Sequence, residues 1–193
     1  MLLSDLSALG EFVQGLATIL VFIAAMVAVK QLRISATTDL FHRFNNPTAR
    51  THRRQVYHLC KRLVGLVDDK KDISKLEKEK GVLEHLECVC NSLDWAGLLV
   101  RRKLLNKKDA IDLYGDSLIR SWVALRHWIK ITRERRRISR KLLWNNFQWL
   151  QGEAAKDDRF KDWVRDGVPI YTPTAIITID YETSKVKYEK QNE

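Results

Sequence analysis

Apolar residues are arranged in two different ways along this chain. From Phe12 to Val29 it reads FVQGLATILVFIAAMVAV, 18 residues without a charge. Beyond Lys30 the apolar positions are interrupted by charges and recur at helical spacing. The first pattern predicts a membrane helix: at 1.5 Å per residue it spans roughly 27 Å, close to the ~30 Å hydrocarbon core of a bilayer. Backbone groups without water must bond to one another, so such a stretch is helical. A cleaved signal peptide would carry a basic leader, and Met1–Gly10 has none. A buried core helix is the other alternative, but this run is apolar all round after Thr18 and meets Lys30 and Arg33 at once.

Within that run Glu11, Gln14, Gly15 and Thr18 fall at i, i+3, i+4 and i+7, on one face of the helix. Polar groups facing lipid are costly, so this face is expected to meet protein or water. A single crossing has no partner in its own chain, and the stripe predicts self-association, with a water-filled pore as its extreme form. Ala24 and Ala28 add a small-xxx-small pair. The alternative is that Glu11 and Gln14 simply sit among lipid headgroups.

The remaining pattern predicts helices. The first continues through Phe44 until Asn45-Asn46-Pro47 stops it. Asn46 can cap a second helix, running to about Val67, with Pro47 at its first position, where a missing N–H costs nothing. Residues 68–73 read as a charged loop, and Ser74 to Glu77 as a capping box opening a third helix. Its stripe is Leu76, Leu83, Leu86, Cys90, Leu93 and Gly97. Asn106 caps a fourth, with Ile111, Leu118, Trp122, Leu125 and Ile129 on one side. Leu142, Leu143, Trp144, Phe147, Trp149 and Leu150 form a shorter aromatic helix, and Phe160 and Trp163 a last turn or two before Gly167. Thr172–Tyr181 and Lys185–Tyr188 are β-branched or alternating and predict a small hairpin, which would dock on the helices or pair with a neighbouring subunit. The expected class is therefore all-α: a transmembrane anchor over 1–33, a cytoplasmic helical bundle over 34–167, and a β-hairpin tail over 168–193.

Charge adds an orientation. All 34 Lys and Arg residues lie at or beyond Lys30 with 22 of the 24 acids, so residues 30–193 carry +12 and the N-terminal part −2. Positive loops stay inside, which puts Lys30 onward in the cytoplasm, the N-terminus outside, and the anchor in the inner (plasma) membrane. A basic domain suits anionic headgroups, RNA or an acidic partner. The run Arg133-Glu134-Arg135-Arg136-Arg137-Ile138-Ser139-Arg140-Lys141 is the densest basic surface candidate. Cys60, Cys88 and Cys90 are too few and too uneven for a disulfide framework and read as reduced thiols.

Candidate chemistry is sparse. Arg120 and His127, seven residues apart in RSWVALRH, share a helix face off the core stripe. An Arg and a His so placed could hold a phosphate and move a proton. The competing reading is an exposed face with an Asp116–Arg120 ion pair. Arg53 and His58 have a similar spacing but lie about 140° apart on a helix. His85 with Cys88 and Cys90 could suggest a metal, but Cys88 and Cys90 point to different helix faces and no second ligand pair is nearby, so no metal or other cofactor is expected. Glycine loops that cradle phosphate and serine nucleophile elbows are missing too.

The segments LFHRFNNPTARTHRRQVY (Leu40–Tyr57), SLDWAGLLVRRKLL (Ser92–Leu105), SLIRSWVALRHWI (Ser117–Ile129) and WNNFQWL (Trp144–Leu150), behind the apolar helix, resemble a family of small bacterial membrane-anchored helical proteins of unknown function over roughly residues 12–155. That resemblance implies no reaction. Arg120 and His127 resemble the Arg–His signature of HEPN ribonucleases, with only Ser121 beside the Arg. More loosely, anchor plus bundle is similar to the membrane accessory proteins of type VI-B CRISPR systems, which implies a HEPN-like bundle, an oligomeric pore and a CRISPR effector protein as partner. The leading expectation is a non-enzymatic homo-oligomer acting in bacterial anti-phage defence. The alternatives are a membrane-tethered ribonuclease using Arg120 and His127, and a basic scaffold recruiting RNA or an acidic protein.

Overall fold

The computed structural model describes the backbone of residues 2–65, 75–137, 143–172 and 175–190, with side chains described between Gly10 and Lys187. Helix α1 runs unbroken over Leu2–Asn45, and α2 follows over Pro47–Gly65. The break between them is local chemistry: the Asn46 side chain accepts from the Thr48 N–H at 2.9 Å, and Pro47 takes the first helical position. Helix α3 is Val82–Arg101, α4 is Lys107–Arg135 and α5 is Asn145–Ala154. A 3-10 turn at Asp158–Phe160 and the short α6, Lys161–Asp166, lead into three strands: β1 Val168–Tyr171, β2 Ala175–Ile179 and β3 Val186–Lys190.

The architecture is helical with a small antiparallel sheet in the order β1-β2-β3. The expected hairpin is β2 and β3, with Ile177 opposite Tyr188. Strand β1 was missed at the sequence level. Val168-Pro-Ile-Tyr171 is short and contains a proline, but pairing Ile170 with Ile177 completes an apolar face. Val168, Ile170, Ile177 and Ile179 are buried in the common core, so the sheet docks on the helices rather than standing free. Gly167, at φ 111, makes the sharp entry into β1 that other residues rarely adopt.

Two boundaries differ from the sequence pattern. The helix expected from Ser74 onward is divided: residues 75–78 form one turn, and Gly81 at φ 79 reverses the chain before α3 begins. The left-handed glycine permits Leu76 and Leu86 to enter the core from separate segments. Ser74, the proposed cap, lies outside the described residues. The second difference is at α5, which takes its N-terminal cap from another helix. The Asp94 carboxylate of α3 accepts from the Asn146 and Phe147 N–H groups at 2.8 and 3.0 Å. The Asn106 cap of α4 is as expected, accepting from Lys108 N–H at 2.8 Å.

The core gathers α2, α3, α4 and α5 around fully buried Leu63, Leu86, Leu93, Leu118, Leu125, Trp128 and Phe147. Only the last part of α1 joins it, through Leu40 and Phe44. Phe44 stacks on Tyr114 of α4 with centroids 4.3 Å apart, and Arg43 lies over Trp95 of α3 at 5.8 Å. Further back along α1, Arg33 lines a groove with Val100 at the C-terminal end of α3. Helix α3 therefore returns antiparallel along α1, and α4 starts beside the point where α1 leaves the bundle.

Candidate functional site

The most unusual feature is what α1 leaves uncovered. Eleven large apolar side chains between Phe12 and Val29 are 46–69% exposed, Val21 and Phe22 among them. No residue of its most apolar window is buried by the rest of the chain, and that window has a mean hydropathy of 2.4. Removing such side chains from water is worth about 1.5–3 kcal/mol each when complete. With about half of each surface still bare, eleven of them represent on the order of 10–20 kcal/mol, comparable to the ~5–15 kcal/mol stability of a typical domain. Gly10–Asn45 is, among the described residues, the one helix long and apolar enough to cross a membrane.

Glu11, Gln14, Gly15 and Thr18 all lie on this bare segment and are exposed. The Thr18 hydroxyl satisfies itself by donating to the Gln14 carbonyl at 2.9 Å. The Gln14 amide and the Glu11 carboxylate have no side-chain partner among the described residues. A Cβ added at Gly15 would meet nothing within 4 Å, so the backbone there is open to close approach by a second helix.

The Arg120 and His127 side chains enter different environments. Arg120 pairs with Asp116 at 3.5 Å, as the alternative reading had it. Its guanidinium also lies over the Trp163 ring at 4.7 Å and the Tyr171 ring at 5.0 Å, clamped between α4, α6 and β1. His127 instead points to the β2–β3 turn, where its Nε2 meets the Ser184 hydroxyl at 2.5 Å. The fold does not bring the two into one cavity. Seven residues on a helix separate them by about 10 Å along the axis, and each is held by its own neighbours.

His127 lines a pocket of about 580 Å³ together with Trp122, Arg126, Lys130, Arg133, Glu134, Arg137, Gln148 and Glu182. Burial first, and then the Arg126 and Lys130 cations, hold the His127 imidazole below its ordinary range. Arg126 is the residue that sequence reasoning passed over. It donates to the Tyr181 carbonyl, to the Asp180 carbonyl at 3.1 Å and to the Ser184 hydroxyl, pinning the β2–β3 turn onto α4. Its partners lie 54 to 58 residues away, so no local motif marks it.

The basic run is less of a surface than its composition suggests. Arg133 is a correction: it is 6% exposed, and its guanidinium donates to the Leu143 carbonyl at 2.9 and 2.6 Å and to Gln148 Oε1 at 2.8 Å. It holds the entry to α5 against α4. Arg135 pairs with Glu77 at 2.6 Å and Arg136 with Glu87 at 2.7 Å. Arg137 is exposed at the pocket rim, while Arg140 and Lys141 lie outside the described residues. Cys60 and Cys90 are core groups, and Cys88 is half-buried. Burial pushes the Cys60 thiol up to about 12 and raises that of Cys90 as well. His85 faces His52 of α2, Nδ1 to Nδ1 at 2.7 Å, and no group of three or more metal-ligating side chains gathers among the described residues.

A domain of unknown function (DUF4760) matches residues 10–153, about three quarters of the chain. The chain belongs to the DUF4760 family. The matched span begins just before the apolar segment and ends within α5, so the family domain comprises the bare helix together with the bundle on which it rests. The sheet clamped by Arg126 lies beyond that span. Neither a curated protein nor a solved structure matches the chain.

Proposed function

We propose that this DUF4760 protein is a self-associating single-pass membrane protein, anchored by α1 with the bundle on the cytoplasmic side. The observation that carries the reading is the bare helix whose polar residues keep to one face. Between Phe12 and Val29 the only polar side chains are Gln14 and Thr18, and Glu11 immediately precedes them on the same side. In a bilayer the apolar faces are solvated by lipid, while the Glu11–Gln14–Gly15–Thr18 face gains by meeting its copy in a neighbouring chain. The excess of Lys and Arg from Lys30 onward supports the orientation.

The mass of the detergent-solubilised particle tests this. The wild-type chain is expected to run as an oligomer, and Gln14→Leu with Gly15→Leu to run as a smaller particle. A wild-type monomer refutes self-association. A ring of many copies would enclose the polar face as a water-filled axis, and the same assembly would then serve as a permeabilising effector or accessory in bacterial anti-phage defence. That finer reading rests on the resemblance of anchor plus bundle to the CRISPR accessory proteins. An unchanged membrane potential in cells expressing the protein during phage challenge would end it.

A further inference from the structure

We propose that the groove between α1 and the α3–α4 turn is a binding site for the headgroup of an anionic phospholipid. The groove has a volume of about 300 Å³ and is lined by Arg33, Lys103, Asn106 and Lys107 over an apolar floor of Val100 and Leu105. Arg33 comes from α1, while the other five belong to the turn and its flanks, some seventy residues later in the chain. No carboxylate lines it. Lys107 also pairs with Glu153 at 2.6 Å, and the Asn106 side-chain oxygen (Oδ1) is occupied in capping α4. The Arg33 and Lys103 side chains have no partner among the described residues. Lys103 stands at φ 58, the left-handed position that turns the chain back toward α1.

Position decides the ligand class. Arg33 is four residues past Val29, or ~6 Å along the axis beyond the apolar run. That matches the headgroup layer on one side of a bilayer, which is on the order of 5–8 Å thick. The groove thus lies at the height of the phosphate groups. A bilayer at that height leaves no room for a nucleic-acid duplex. Arg102 and Lys108, adjacent in sequence to Lys103 and Lys107, are also exposed.

The proposal rests on α1 crossing the membrane, and the experiment separates the two. Full-length protein is first floated with phosphatidylcholine vesicles after an alkaline wash; a chain that stays in solution removes the anchor and with it the site. The protein is then placed in nanodiscs of phosphatidylcholine alone or with added phosphatidylglycerol, and amide hydrogen exchange is followed at 101–108. Exchange is expected to slow with phosphatidylglycerol, by roughly fivefold for each cation engaged. Arg33→Gln with Lys103→Gln should erase the difference while exchange in the α4 core stays the same. Equal exchange in the two kinds of disc overturns the site and leaves the anchor standing. Inorganic phosphate that slows exchange as strongly in neutral discs overturns the lipid assignment.

Discussion

Gly97 sets how closely α3 and α5 approach, and replacing it with alanine has a calculable outcome. A Cβ at Gly97 would lie 2.3 Å from the Asn146 carbonyl oxygen and 2.6 Å from the Asn146 carbonyl carbon. Ordinary contact begins near 3.4 Å, so the start of α5 would have to withdraw by about 1 Å. That stretch cannot move cheaply, because the Asp94 carboxylate caps it through Asn146 and Phe147 and Arg101 holds the Asn146 side chain at 2.9 Å. Overpacking a core typically costs about 1–3 kcal/mol, and losing the cap geometry adds about 1 kcal/mol. Against this, alanine favours a helix interior over glycine by up to about 1 kcal/mol. The net expectation is a loss of about 1–3 kcal/mol. Gly152, in α5, is the internal control: a Cβ there meets nothing within 4 Å, so Gly152→Ala should gain up to about 1 kcal/mol. Thermal and denaturant unfolding of both full-length variants in the same detergent supplies the comparison. If Gly97→Ala proves as stable as Gly152→Ala, the close approach of α3 and α5 is wrong.

Two further outcomes concern the clamp on the β2–β3 turn. Arg126→Met removes three hydrogen bonds to that turn while keeping most of the apolar stem, and is expected to cost about 2–4 kcal/mol; amide exchange at 180–185 should rise, and unchanged protection there would remove Arg126 from this role. His127 is held low by burial and by Arg126 and Lys130, so the unfolded chain binds its proton more readily than the folded one. Its contribution to stability is accordingly lost as pH falls below the ordinary imidazole value of about 6.5 and levels off below the folded value. An imidazole titration followed by NMR should give a value under the ordinary one in the wild type and a higher one in Arg126→Met; the reverse order would refute the electrostatic account.

Much of the fold was legible because its signals are local. An 18-residue run without charge, an Asn-Pro stop, the Asn106 cap and the 3.6-residue stripe through Leu118, Leu125 and Ile129 each depend on a few neighbouring residues. Backbone hydrogen bonding and capping act over the same short range, so the helices, their approximate ends and the β2–β3 hairpin follow from reading along the chain. The polar face of Glu11, Gln14, Gly15 and Thr18 belongs to this class too, since a single helix defines it.

Tertiary packing decided what distant residues do to one another. Spacing alone put Arg120 and His127 on a shared face, yet Trp163 and Tyr171 claim the first and Ser184 the second. Arg133 looks like surface charge until the Leu143 carbonyl and Gln148 are brought against it. Asp94 becomes a cap only because α3 delivers it to a helix that starts fifty residues later. Arg33 and Lys103 line one groove because α3 folds back along α1. The physical reason is the same in each case. A half-buried polar group takes whichever partner the packing of apolar faces places within about 3 Å, and no residue adjacent in the sequence records that choice.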